Sequence, residues 1–128
     1  YHHTAPVNMN FGIREALRLL SEEGLENAWN RHASNAKKLW EGLDRLGIQM
    51  HVQEDLRLPT LTTVCIPEGV DGKAFTLNLL NKHGIEIGGG LGELAGKVWR
   101  IGLMGYNSNP ENVDTLLNIF EDELPNFR

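Results

Sequence analysis

The sequence predicts an α+β fold, in which a small, mostly antiparallel sheet has helices packed on one face. Two observations support this prediction. Apolar residues recur at helical spacing over roughly the first 46 positions, and short alternating or β-branched runs follow later in the chain. The resulting order is two helices, two strands, a helix, two strands and a last helix.

The composition is that of an ordinary globular domain. The chain has 128 residues, of which 41% are hydrophobic and 23% are charged. A net charge of −5 argues against nucleic acid or an anionic membrane as the main partner. No apolar run is long enough to span a bilayer, and the single cysteine excludes an internal disulfide. Because the sequence begins with Tyr1 rather than Met, we expect it to belong to a longer protein.

Two apolar stripes with helical spacing open the chain and define a long helical region over residues 1–46, ahead of a small α+β domain at 47–128. The first stripe ends at Gly24, and Gly47 suits the position just after the second. The first consists of Ile13, Ala16, Leu17 and Leu20, and the second of Leu25, Trp29, His32, Ala36, Leu39, Leu43 and Leu46. Since the stripes meet at Gly24, one long kinked helix is an alternative to two helices.

The later elements follow from alternation and from capping residues. Strands are predicted at 48–52 and 61–66, and a helix at about 72–83, with Asp71 as its N-cap and Gly84 after its end. A short strand at 85–87 and a glycine-rich loop at 88–96 lead into a strand from Val98. Asn109-Pro110 then begins the last helix.

Arg100 interrupts the apolar run of that last strand. Alternation places Trp99, Ile101 and Leu103 on the core face and Arg100 on the other. A guanidinium keeps its proton, so it needs an anion when it leaves water. Either a carboxylate of the same protein or the carboxylate of a ligand would serve. The residues alone leave both alternatives open.

The other sequence motifs lack the surrounding residues that their usual functions require. Residues 90–95 match a dinucleotide-binding pattern, but no helix can follow before the next strand. The loop is therefore either a tight backbone segment that lines a pocket or an ordinary hairpin loop. Adjacent His2 and His3 have no further ligand at metal spacing, so no metal site is predicted. Cys65 lies inside a strand pattern, where we expect a small buried hydrophobe.

Five segments occur in an order that resembles the C-terminal third of the alanine–glyoxylate (serine–pyruvate) aminotransferase family. They are Tyr1–Val7, Gly24–Trp29, Leu56–Thr60, Ile85–Gly92 and Gly96–Gly102. The family consists of class V, fold-type I enzymes that use pyridoxal phosphate. The resemblance implies the small C-terminal domain of that fold.

The resemblance also implies roles for individual residues. Arg100 would bind the α-carboxylate of the substrate. Tyr1 and Thr4 would donate hydrogen bonds to the cofactor phosphate of the neighbouring subunit in a homodimer. The whole enzyme would move an amino group from alanine or serine to glyoxylate or pyruvate, in peroxisomes or mitochondria. The lysine that carries the cofactor would precede Tyr1, so we expect the isolated chain to be inactive.

Two alternatives remain beside the aminotransferase. A pyridoxal-phosphate lyase of the same fold, such as a cysteine desulfurase, would need a cysteine on a mobile loop, whereas Cys65 lies in a predicted strand. A non-catalytic module could instead bind a small carboxylate through Arg100. Under each of these hypotheses, the apolar surface of Phe11, Trp29 and Trp40 is larger than one small sheet can cover. This excess predicts a dimer or interdomain surface on the first long helix.

Overall fold

The computed structural model describes residues 2–128, which form two compact units, one ending at Arg31 and the other comprising His32–Arg128. The helices are α1 (Val7–Glu23), α2 (Leu25–Arg45), α3 (Gly72–His83) and α4 (Pro110–Glu123). The strands are β1 (Leu61–Cys65), β2 (Gly88–Gly89) and β3 (Val98–Gly102). The α+β prediction is confirmed. In the described part of the chain, no helix is long and apolar enough to cross a membrane.

A single residue separates the first two helices. Gly24 has a φ of +85°, a conformation that favours glycine, so α1 ends at Glu23 and α2 starts at Leu25. Two helices therefore replace the alternative of one kinked helix. No residue of α1 is buried. Its exposed large hydrophobic residues are Val7, Met9, Phe11, Ile13, Leu17 and Leu19.

The later helices begin where their caps were predicted. The Asp71 carboxylate accepts a hydrogen bond from the Ala74 N–H at 3.0 Å at the start of α3. The Asn109 side-chain oxygen accepts one from the Asn112 N–H at 2.8 Å at the start of α4. Gly84, just after α3, has the left-handed backbone conformation of a helix C-terminus. Local sequence signals thus placed both helices correctly.

The sheet has the order β1-β3-β2 and is antiparallel throughout. Arg100 in the central strand lies opposite Thr63 of β1 and Gly88 of β2. Residues directly opposite one another share a face, so these three residues define what we call the Arg100 face. Trp99 and Val64 lie on the other face, which we call the Trp99 face.

Helices pack on the Trp99 face. The Trp99 ring lies 5.1 Å from the Phe75 ring of α3 and 5.8 Å from the Phe120 ring of α4, measured between centroids. The Trp40 Nε1–H of α2 donates to the Thr62 hydroxyl at 2.8 Å. Trp99, Ile101 and Leu103 are 1%, 3% and 6% exposed, which confirms the predicted core face of the strand.

The predicted strand at 48–52 is wrong. Only Met50 forms a bridge, with Val64, although the His51 N–H donates to the Thr63 carbonyl at 2.9 Å. Ile48 is 2% exposed and belongs to the core cluster, so the segment follows the core and touches β1 only briefly. An alternating pattern indicates that one side of a segment is buried, but it does not show which strand the segment pairs with.

The predicted strand at 85–87 is also wrong, because pairing with β3 starts only at Gly88. The Ile85 N–H donates to the Leu79 carbonyl at 3.1 Å, and Ile87 is 8% exposed. These contacts hold the segment against the end of α3. A cavity of about 310 Å³ separates it from Gly102, where a longer ladder would have continued.

Candidate functional site

Arg100 lies partly buried at the centre of the Arg100 face. Its Nε–H donates to the Gly89 carbonyl at 2.7 Å, which turns the side chain across the short strand β2. Because a guanidinium has five N–H donors, this contact leaves the paired Nη1 and Nη2 groups for a planar anion. The backbone carbonyl therefore orients the fork without neutralising its charge.

No carboxylate pairs with Arg100 among residues 2–128. The ion pairs of that part of the chain all use other basic groups, on Arg18, Arg31, Lys37, Lys38, Lys82 and His83. Arg57, another arginine of the same unit, stacks over the Trp40 ring at 5.6 Å and donates to the Val52 carbonyl at 3.0 Å. An internal carboxylate partner for Arg100 is therefore absent from the described residues, and its role as a ligand-binding group stays a prediction.

Two glycines shape the backbone around this guanidinium. A Cβ on Gly88 would lie 3.3 Å from Arg100 Nη2, closer than most side chains tolerate. A Cβ on Gly90 would lie 2.0 Å from the Leu94 carbonyl oxygen, which no real structure allows. The loop joins the antiparallel strands β2 and β3, so it is a hairpin loop, and its backbone packs tightly beside Arg100. The sequence showed that it is rich in glycine but not which glycines are required.

The remaining residues of the Arg100 face are small or apolar. Thr63 is partly buried beside Arg100, and Gly102 is exposed two residues further along β3. Met104 follows and is 51% exposed. Cys65 lies in β1 as predicted, but on this face and only partly buried. The 310 Å³ cavity reaches Gly102 without including Arg100, so the guanidinium lies on a surface rather than in a closed pocket.

The two residues predicted to contact the cofactor phosphate lie at the other end of the chain. Thr4 is exposed in the unit that ends at Arg31, ahead of α1. Tyr1 lies outside the described residues. Their roles stay predictions.

The lysines of the chain occupy the surface. Lys38 pairs with Asp114 at 2.6 Å, and Lys82 pairs with Glu123. The hydrogen bond from Lys82, followed by those from Asn78 and His83, lowers the pKa of the Glu123 carboxyl. The other three lysines, Lys37, Lys73 and Lys97, are exposed. All five lysine side chains are thus at least partly exposed in this chain.

Comparisons with known proteins show similarity to aminotransferases along most of the chain. The profile described as aminotransferase class-V matches residues 1–116. Alanine–glyoxylate aminotransferase of Callithrix jacchus is 48% identical over 125 residues, which cover 97% of this chain and 30% of that protein. The (S)-ureidoglycine–glyoxylate transaminase of Bacillus subtilis (strain 168) is 42% identical over 112 residues, which cover 88% of this chain and 27% of that protein.

A solved structure agrees in fold. The crystal structure of an alanine–glyoxylate aminotransferase from Nostoc sp. has a TM-score of 0.90 and 62% identity, over 94% of this chain and 32% of that one. The chain thus spans about a third of the length of the proteins it matches.

Proposed function

The chain belongs to the class-V aminotransferase family, and we propose that it forms the C-terminal part of an enzyme that moves an amino group from alanine or serine to glyoxylate or pyruvate. The relatives named for alanine, ureidoglycine and glyoxylate support this substrate class. Family membership implies the use of pyridoxal phosphate. The chain contributes the small domain and the group that binds the substrate carboxylate.

One observation carries the proposal: Arg100 is held by a backbone carbonyl and has no carboxylate partner among the described residues. Amino acids and 2-oxo acids share a carboxylate next to the reacting carbon. A planar guanidinium can bind that group through two parallel hydrogen bonds, and so fix the direction in which the reacting carbon points. The same contact serves amino donor and acceptor, as a transamination requires.

The chain fits only part of the cofactor's requirements. Pyridoxal phosphate, when bound, supplies the electron sink for reactions at the carbon next to the carboxylate. Thr4 is exposed, as a hydroxyl that donates to a phosphate must be, and we propose this role for Thr4 and Tyr1 toward the neighbouring subunit. We also propose, as the resemblance implies, that the cofactor lysine lies in the preceding part of the full-length protein.

We further propose that the full-length protein is a homodimer in which α1 is an interface helix. Phe11 and Ile13 are 63% and 57% exposed, and α1 buries no residue in this chain. Exposed apolar surface of this extent usually marks an interface. We propose a second copy of the chain as the partner on this surface, because Tyr1 and Thr4 are predicted to bind the cofactor phosphate of a neighbouring subunit.

The test is substitution of Arg100 in the full-length enzyme. Hydrogen bonds to charged groups contribute about 1.5–3 kcal/mol, so Arg100→Ala should lower kcat/KM for alanine by roughly ten- to a hundredfold or more. Arg100→Lys should also be poor, because an ammonium cannot form the two-pronged contact. Arg45→Ala, which removes an exposed arginine at the end of α2, is the matched control.

Melting temperature is measured on the same proteins. A large loss of thermal stability with unchanged affinity for the amino donor would make Arg100 structural and would overturn the assignment. Absence of any amino-group transfer to glyoxylate or pyruvate by the wild-type enzyme would overturn the activity itself.

A further inference from the structure

Met104 lies four residues beyond Arg100, just after the end of β3, in extended backbone that keeps the alternation of the strand. Residues 100, 102 and 104 alternate with the buried Trp99, Ile101 and Leu103. Gly102 carries no side chain, and the Met104 Cε methyl lies 3.7 Å from the point where a Cβ of Gly102 would be. The thioether therefore bends back along β3 toward Arg100. Gly102 is about 7 Å from Arg100 along a strand that rises about 3.3 Å per residue.

The turn that carries Met104 is held on both sides. The Leu103 N–H donates to the Thr60 carbonyl at 3.0 Å, just before Met104. The Gly105 N–H donates to Nε2 of His32 at 2.9 Å, just after it. These contacts fix the backbone of Met104, so its 51% exposed side chain is an apolar surface at a defined place.

We propose that Met104 determines specificity, by forming the apolar boundary against which the substrate's side chain packs. This inference rests on the proposed function. A substrate anchored by its carboxylate at the Arg100 fork presents its side chain within a few ångströms of the anchor. Because the Met104 side chain covers Gly102, between Met104 and Arg100, it would limit the space for longer side chains and favour short ones. A change of one methylene in such an apolar contact alters kcat/KM by roughly 10- to 200-fold.

The experiment uses the full-length enzyme with glyoxylate as acceptor and alanine, 2-aminobutyrate and norvaline as donors. Met104→Ala should raise the ratio of kcat/KM for norvaline to that for alanine by roughly tenfold or more. Met104→Phe should lower the same ratio, and Met104→Leu, which nearly conserves volume, should leave it close to wild type. Leu77→Ala, a truncation of a 56% exposed leucine on α3, is the control.

The outcomes separate this inference from the proposed function. An unchanged donor ratio in both the Ala and the Phe variants, with Arg100→Ala still impaired, overturns the role of Met104 and leaves the proposed function intact. Equal losses for all donors would show a structural role and overturn the inference as well. A wild-type enzyme that transfers no amino group to glyoxylate or pyruvate overturns both.

Discussion

Replacing Gly90 by alanine should loosen the backbone that orients Arg100. The added Cβ would lie 2.0 Å from the Leu94 carbonyl oxygen, whereas ordinary contacts begin at about 3.4 Å, so the turn must move by about 1.4 Å. The obstacle is a backbone atom, which no change of rotamer can remove. Such overpacking costs about 1–3 kcal/mol. The same carbonyl accepts the Lys97 N–H at 3.0 Å, and losing that hydrogen bond costs about 0.5–1.5 kcal/mol more.

The expected loss is thus about 3 kcal/mol of local stability, or roughly a hundredfold, at about 1.4 kcal/mol per factor of ten. Amide hydrogen exchange of peptides covering β2 and β3 in the full-length protein measures it directly. Gly89→Ala is the matched control, because a Cβ there meets nothing within 4 Å. Equal exchange rates in the two variants would refute the argument from the Leu94 contact.

Two further predictions concern stability in acid and the exposed surface of α1. The Lys82 hydrogen bond to Glu123 lowers the pKa of that carboxyl, so its contribution to stability is complete above the ordinary carboxyl pKa and is lost as the pH falls through the lowered value. In Glu123→Gln, the free energy of unfolding measured over a pH series should no longer show this acid-dependent part. An identical pH profile in the wild type and the variant would contradict the prediction. Phe11→Glu should weaken the proposed dimer by roughly a hundredfold or more, since an unpaired buried charge costs several kcal/mol. Sedimentation of the full-length protein measures this, with Ser21→Glu as control, and a dimer equally stable in both variants would exclude Phe11 from the interface.

Short-range patterns were enough to predict α2, the starts of α3 and α4, and the core face of β3. Helical spacing located α2, and Asp71 and Asn109 marked where α3 and α4 begin. Alternation across β3 separated the buried Trp99 from Arg100. These features depend on residues a few positions apart, whose geometry is set by the periods of helix and strand.

The same reasoning failed where pairing partners matter. The segments at 48–52 and 85–87 alternate as strands do, yet only Met50 pairs. Register depends on hydrogen bonds to a chain segment far away in sequence, and alternation carries no information about that partner. Both segments instead bury one residue each in the core, Ile48 and Ile87.

The sequence by itself determined the fold class, the starts of α3 and α4 and the presence of one charge in an apolar strand. Only the tertiary structure decided that Arg100 has no carboxylate partner among residues 2–128 and that its Nε is held by Gly89. It also decided that Met104 folds back over Gly102, and that Gly90 admits no side chain because a Cβ there would meet the Leu94 carbonyl oxygen. These are contacts between atoms brought together by sheet register and loop closure, and neither can be read from local residue patterns.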